Sequence, residues 1–143
     1  MMMTVADCKI LDLPKIQDGR GNLSIIEEYK QIPFKIERTY WIYDVPGGDE
    51  RGGHAYRTTQ EFIVALSGSF DVVINDGKEE RTFSLNRSYK GLYVPCGLWR
   101  VMKNFSTNSL ALILASTEYD EHDYIMDYEA FKKWKYDERS DSL

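Results

Sequence analysis

The sequence has only two cysteines and two histidines in 143 residues, and it lacks any long apolar run. Two cysteines, Cys8 and Cys96, are too few for a disulfide framework or a cysteine-ligated zinc site. We expect both to be free thiols in a reducing compartment. No segment approaches the roughly 18 apolar residues of a membrane span, and the first residues carry no apolar leader. We therefore expect a cytoplasmic protein that makes no membrane contact.

An excess of positive charge is also missing, because the formal net charge is −5. A chain of this charge has no general attraction for nucleic acid, and we expect none as a partner. The sequence does contain 43% apolar residues and 29% charged residues, at a length typical of one domain. We predict a single domain, residues 1–143, with a core of its own.

Most of the chain has the pattern of short β-strands. In FKIERTYWIYDV (34–45) the residues alternate in character, which predicts a strand with Arg38 and Tyr40 on its mostly apolar face. An inward arginine is costly unless it is paired or lines a polar cavity. Residues 61–86 read as consecutive strands, with a hairpin turn at Asn75–Gly77, where the residue types tolerate positive φ. GLYVP, LWRVMKNF and SLALILAS supply three further strands, as in an all-β sandwich or barrel.

The tail has a different period. In DYIMDYEAFKKWK, Tyr124, Tyr128, Phe131 and Trp134 recur at helical spacing. This pattern predicts an amphipathic C-terminal helix packed on the sheet, with its aromatic stripe in the core.

Two spaced motifs surround the stretch RGGHAYR (51–57). Their residues, in order and with fixed intervals, are His54, Tyr56, Glu61 and Gly68, followed by Pro95, Gly97, Arg100 and Asn104. These spacings resemble the two motifs of the cupin superfamily, whose fold is a jelly-roll barrel. Metal-binding cupins have three histidines and a carboxylate in these motifs, whereas this chain has Tyr56 and Arg100 at two of the four positions. Since arginine offers no lone pair and repels a cation, we expect no metal.

The groups that remain suit acid–base chemistry. Histidine is the side chain best able to move protons at neutral pH, and a tyrosine hydroxyl can relay them. Arginines bind phosphates and stabilise developing oxyanions. We therefore predict His54, Tyr56 and Arg100 as the catalytic residues.

The likeness extends over nearly the whole chain. DGRGNL, IPFKIERTYWIYDV, RGGHAYR, LSGSFDVVINDG, GLYVPCGLWRVMKNFS and LILASTEYDEHDYIMDYEAF resemble segments of the 3,4-ketoisomerases that act on dTDP-4-oxo-6-deoxyglucose, the WxcM-like cupins. The resemblance implies a cytoplasmic homodimer, with an N-terminal strand exchanged between subunits, that needs no metal or organic cofactor. It also implies a dTDP-linked 4-keto-6-deoxyhexose as substrate.

The resemblance assigns residues as well. His54 matches the first histidine of a His-x-His pair and becomes the expected base, whereas Tyr56 stands where the family usually has the second. Arg20, Arg38, Arg51 and Arg100 match positions that line the family's pocket. Tyr40 and Glu61 complete the expected substrate-binding set.

Two alternatives stay open at this point. A 3,5-epimerase acting on the same class of substrate also uses a histidine and a tyrosine in a cupin barrel. A non-catalytic sugar-nucleotide-binding domain is the other, and Tyr56 in place of the second histidine favours it. Deuterium exchange into the substrate distinguishes the three.

Overall fold

A computed structural model describes residues 2–137 as twelve short strands, one α-helix and two 3₁₀ turns. The strands are β1 (Lys9–Asp12), β2 (Lys15–Asp18), β3 (Gly21–Ser24), β4 (Arg38–Tyr43), β5 (Arg51–Tyr56), β6 (Glu61–Ser67), β7 (Phe70–Asn75), β8 (Glu80–Leu85), β9 (Lys90–Val94), β10 (Trp99–Lys103), β11 (Leu110–Ala115) and β12 (Tyr124–Ile125). The 3₁₀ turns are Val5–Asp7 and Glu121–Asp123, and helix α1 spans Tyr128–Tyr136. No helix in this part of the chain has both the length and the apolar character needed to cross a bilayer.

The strands form two five-stranded antiparallel sheets packed face to face. One sheet has the order β1-β9-β6-β11-β4 and the other the order β12-β5-β10-β7-β8. From β8 to β11 the chain changes sheet at every step, which is the connectivity of a jelly roll. The predicted all-β jelly-roll class with a C-terminal helix is confirmed. A separate hairpin, β2–β3, stands outside both sheets, and each of its residues is exposed.

The apolar run of β6 explains how the first sheet is buried on both faces. Ile63 and Ala65 point into the space between the sheets. Phe62 and Val64 point outward, where Ile32 and other residues before β4 cover them. A strand buried on both sides has no polar face, so its sequence shows a continuous apolar run rather than an alternation. Complete burial of each large apolar side chain stabilises the fold by about 1.5–3 kcal/mol.

Strand β4 shows the alternation that its sequence predicts. Arg38, Tyr40 and Ile42 are half-buried on the inner face, whereas Trp41 and Tyr43 are exposed on the outer face. The strand begins at residue 38, four residues later than the pattern starts. The predicted hairpin turn is also confirmed, since β7 and β8 are joined by a turn in which the Asp76 amide donates to the Glu79 carbonyl at 3.0 Å.

The C-terminal helix is shorter than its sequence pattern predicts. Asp127 caps α1 by accepting from the Ala130 amide at 2.9 Å, so the helix begins at Tyr128. Phe131 is fully buried against Ala55 of β5, as predicted, but Trp134 is partly exposed. The assignment of Tyr124 to the helical stripe is wrong. Tyr124 lies in β12, which pairs with the end of β5.

Both cysteines are free thiols, as predicted. Cys8 is buried in the core between the sheets, and burial raises the pKa of its thiol to about 12. A thiol with so high a pKa stays protonated and unreactive near neutral pH. We therefore assign Cys8 a packing role only.

Candidate active site

One end of the sandwich opens into a cavity of about 350 Å³. Inward-facing residues of β4, β5 and β10 meet here, because period-two alternation sends every second side chain between the sheets. Two aromatic residues from the segment before α1 close one side. The lining residues are Arg38, Tyr40, Trp41, Ile42, Arg51, Gly52, His54, Tyr56, Arg100, Tyr119 and Tyr124.

The two glycines before His54 shape the strand that carries it. Arg100 faces His54 in the ladder, but Val101 already faces Gly52, so β5 bulges at this point. Gly52 and Gly53 have φ values of 94° and 70°, which favour glycine. A Cβ at Gly52 would also lie 3.0 Å from the Arg100 carbonyl oxygen. The bulge therefore sets the angle at which His54 enters the cavity and leaves room for Arg100.

A buried ion pair lies behind the cavity wall. Arg100 Nε donates to Glu61 Oε1 at 2.6 Å, and both side chains are almost completely inaccessible, at 3% and 1% exposure. The Tyr40 hydroxyl donates to Glu61 Oε2 at 2.5 Å and accepts from Arg100 Nη2 at 2.8 Å. Such a closed triangle satisfies groups whose burial would otherwise be costly. It fixes the Arg100 guanidinium as a rigid positive charge beside the cavity.

His54 lies next to this charge and is buried in β5. Its Nε2 has no hydrogen-bond partner among residues 2–137. Burial and, to a smaller extent, the positive charge of Arg100 lower the pKa of His54 from 6.5 to about 4. Glu61 acts in the opposite direction but does not outweigh them. The imidazole is therefore neutral at physiological pH, and an unprotonated ring nitrogen is what a general base requires.

This lowered pKa predicts how His54 affects stability at acid pH. Between about 6.5 and about 4 the unfolded chain protonates this residue while the folded chain does not. The His54 contribution to the free energy of unfolding is thus complete above pH 6.5 and is lost as the pH falls toward 4. The imidazole proton resonance of His54, assigned by its absence in His54→Asn, should titrate near pH 4 in NMR spectra. A midpoint above pH 6 would contradict the burial and charge argument.

Tyr56 and Tyr124 face each other at the rim, and their strands pair at these two residues. The Tyr56 hydroxyl donates to the Tyr124 hydroxyl at 3.2 Å, and the ring centroids are 4.7 Å apart. Both rings contact His54, at centroid distances of 4.9 and 5.0 Å. Burial raises the pKa of Tyr56 far above its usual range, so its hydroxyl keeps its proton at rest.

The cavity attracts anions. Arg38, Arg51 and Arg100 line it. Arg100 is paired with Glu61, whereas Arg38 and Arg51 have no ion-pair partner among residues 2–137. The Nε and Nη2 atoms of Arg38 are buried and have no hydrogen-bond partner within the described chain. Buried guanidinium donors of this kind match phosphate or sugar oxygens.

The structure brings together most of the residues predicted for the site. Six of them, Arg38, Tyr40, Arg51, His54, Tyr56 and Arg100, line the cavity directly. Glu61 does not line the cavity; it accepts a hydrogen bond from Arg100 and so orients the Arg100 side chain. Arg20 lies in the β2–β3 turn, pairs with Asp18 at 3.1 Å and does not belong to the cavity lining of its own chain within residues 2–137. Its role in substrate binding stays a prediction.

Five lining residues were not among the predicted site residues, and two of these five, Tyr119 and Tyr124, carry a hydroxyl group. Because Tyr124 lies at helical spacing from Tyr128 and Phe131, the sequence pattern assigns it to the helix instead of the site. The signal that identifies it is Asp127, a good N-cap residue, which places the helix start after the tyrosine. The centroid of the Tyr119 ring lies 5.8 Å from the centroid of the Tyr124 ring and 5.7 Å from Cζ of Arg38.

The donor set in this cavity is unsuited to a metal. Within residues 2–137, no three His, Cys, Asp or Glu side chains are arranged around a common point. The second histidine, His122, lies on the surface beside Asp120. The chemistry of the cavity therefore has to be derived from its own titratable and charged groups.

A jelly roll that opens into a cavity lined by histidine, tyrosine and arginine is a cupin-type domain equipped for acid–base chemistry. Residues 6–136 match the family described as FdtA, WxcM-like, C-terminal. The TDP-4-oxo-6-deoxy-alpha-D-glucose-3,4-oxoisomerase of Aneurinibacillus thermoaerophilus is 42% identical over 126 residues, which are 88% of this chain and 91% of that protein. The chain belongs to this family, and the predicted resemblance is confirmed.

Two crystal structures extend the comparison. The WlaRB TDP-quinovose 3,4-ketoisomerase from Campylobacter jejuni is 42% identical, with a TM-score of 0.86, and covers 90% of this chain and 99% of that one. A histidine-to-asparagine mutant of the 3,4-ketoisomerase QdtA from Thermoanaerobacterium thermosaccharolyticum, in complex with TDP-4-keto-6-deoxyglucose, is 31% identical. Its TM-score is 0.89, and the match covers 92% of this chain and 96% of that one.

Proposed function

We propose that this protein is a cytoplasmic sugar-nucleotide 3,4-ketoisomerase that moves the keto group of TDP-4-oxo-6-deoxyglucose from C4 to C3. The observation that carries the proposal is the neutral, buried His54, which lines the cavity together with three arginines and whose Nε2 has no hydrogen-bond partner among residues 2–137. A base without a partner beside fixed positive charge is the arrangement that enolisation of a ketone needs.

The reaction begins at the carbon next to the ketone. His54 Nε2 removes the proton from C3, and the electron pair of that bond forms the C3–C4 double bond while negative charge collects on O4. Arg100 or Arg51 stabilises this oxygen, and a preorganised donor of this kind contributes about 2.7–4 kcal/mol to the transition state. A proton then moves from O3 to O4, which leaves the negative charge on O3. A proton returns to C4 as the C3 carbonyl forms, and the ketone is now at C3.

The arginines also support recognition of the nucleotide. Arg38 has unpaired buried donors and Arg51 is an exposed cation at the rim, so both suit the diphosphate. Tyr40 contributes indirectly as well, because it holds Arg100 and Glu61 in place. In this scheme the reaction needs no metal or organic cofactor, since base, oxyanion stabiliser and proton relay are all side chains.

The test is deuterium incorporation from D₂O in the presence of a chelator, with TDP-4-oxo-6-deoxyglucose as substrate. A 3,4-ketoisomerase gives the 3-keto product with label at C4, and through the reverse reaction it labels the remaining 4-keto substrate at C3. A non-catalytic binding domain incorporates none, and a 3,5-epimerase labels C5 as well. Label at C5, or bound substrate that gives neither label nor 3-keto product, contradicts the proposal. Loss of turnover in the chelator contradicts its metal-free part.

We further infer that the active unit is a homodimer in which the β2–β3 hairpin of each chain packs on the other. The hairpin has no covering element within the described residues, and it exposes Ile16 and Leu23 by about half. Strand β4 is an open edge of its sheet next to the cavity. An exposed hairpin and an open edge are complementary, and their pairing would cover unpaired backbone groups. This arrangement would also bring Arg20 to the partner's cavity.

Light scattering tests the assembly. We expect a mass of two chains at micromolar concentration. Deletion of residues 15–24 should convert the protein to monomers, whereas Arg20→Ala, which removes one side chain and keeps both strands of the hairpin, should leave the dimer intact. A wild-type mass near the 16.7 kDa of a single chain would contradict the dimer.

A further inference from the structure

Tyr124 is held in a fixed position beside Tyr56. The Asp123 carboxylate accepts hydrogen bonds from the backbone and hydroxyl of both Thr58 and Thr59. From the other side, Arg57 Nη1 donates to the Tyr124 carbonyl at 3.0 Å. These contacts tie the segment before α1 to the end of β5. These hydrogen bonds therefore hold the Tyr124 hydroxyl next to the Tyr56 hydroxyl.

A single buried tyrosine is a poor proton carrier, because burial makes its phenolate costly. The cost falls when the hydroxyl can release its own proton as it accepts another. Tyr56 has such an outlet, because its hydroxyl donates to Tyr124. Tyr124 is half-buried and also lines the cavity, so it can pass a proton back to a ligand.

We propose that Tyr56 and Tyr124 act as one two-hydroxyl relay that carries the proton from O3 to O4 of the sugar. This inference rests on the proposed isomerase function and specifies which groups move the hydroxyl proton. The O3 proton passes to Tyr56 Oη, the Tyr56 proton passes to Tyr124 Oη, and the Tyr124 proton passes to O4. Both tyrosines end as they began, and no free phenolate forms. His54 meanwhile moves the proton between the carbons.

The relay predicts a specific mutational pattern. Tyr56→Phe and Tyr124→Phe keep the rings and their packing, and each should lower kcat about tenfold to a hundredfold with little change in KM. Because both changes break the same relay, the double variant should be no slower than the slower single variant. Tyr128→Phe is the matched control. It also removes a hydrogen-bonded tyrosine hydroxyl, bonded to Asn75 at 2.9 Å, from the same part of the chain, and it should leave kcat unchanged.

Carbon exchange provides a readout that a merely structural role would not give. Tyr124→Phe retains His54, so it should still exchange the C3 proton with D₂O while formation of the 3-keto product slows. Tyr124→Phe with wild-type kcat, or a double variant whose loss is the product of the single losses, overturns the relay alone. Wild type that neither exchanges nor turns over overturns the isomerase function and the relay with it.

Discussion

His54→Asn is expected to lower kcat for the 3,4-isomerisation by about 10²–10⁴-fold, the usual contribution of a general base. Asparagine keeps a polar side chain of similar width but cannot accept the carbon-bound proton. The substrate contacts proposed for Arg38, Arg51 and Arg100 are not altered by this change, so KM should change little. Deuterium exchange at C3 should fall with kcat, because both depend on the same proton abstraction. The measurement is a steady-state assay combined with NMR of the labelled sugar.

The second histidine provides the control for this experiment. His122 is exposed, outside the cavity, and His122→Asn makes the same chemical change there. It should have wild-type kcat. If His54→Asn is as fast as wild type, the base is another residue, and the assignment made from its free Nε2 is wrong.

Glu61→Gln is expected to reduce the free energy of unfolding by about 3–5 kcal/mol, the usual cost of leaving one partner of a buried ion pair without its counter-charge. Glutamine preserves the shape of the side chain, so the loss reports charge and hydrogen bonding rather than a cavity. Arg100 would remain at 2% exposure, and Glu61 is its only ion-pair partner within residues 2–137. The measurement is urea denaturation at one fixed protein concentration, because association contributes to apparent stability.

Two further variants separate this effect from a general loss of charge. Glu80→Gln makes the same change at the exposed first residue of β8, as Glu61→Gln does at the buried first residue of β6. It should alter stability by less than about 0.5 kcal/mol, the usual range for surface substitutions. Combining Glu61→Gln with Arg100→Met removes both charges and should recover most of the loss. A loss below about 1 kcal/mol for Glu61→Gln would contradict this expectation and would show that solvent screens the charge of Arg100.

The strands were predictable because their residues leave few alternatives. The alternation in β4, the apolar run of β6 and the turn at Asn75–Gly77 each reflect local geometry, and each is found in the structure. The helix start was misplaced because the spacing of Tyr124 and Tyr128 satisfies a helical period by coincidence. A capping hydrogen bond at Asp127 outweighs that period, since it satisfies amides at the first turn. Periodicity alone cannot show where such a cap will form.

The sequence by itself determined the fold class, the family and two residues of the cavity lining, His54 and Arg100, because motif spacing and strand period are properties of the chain. Only the tertiary structure decided how these residues differ in environment. It placed Glu61 behind Arg100, left His54 Nε2 without a partner, and brought Tyr124 to Tyr56 from 68 residues away. The physical reason is that burial, charge pairing and pKa depend on neighbours distant along the chain. These neighbours meet only when the sheets pack.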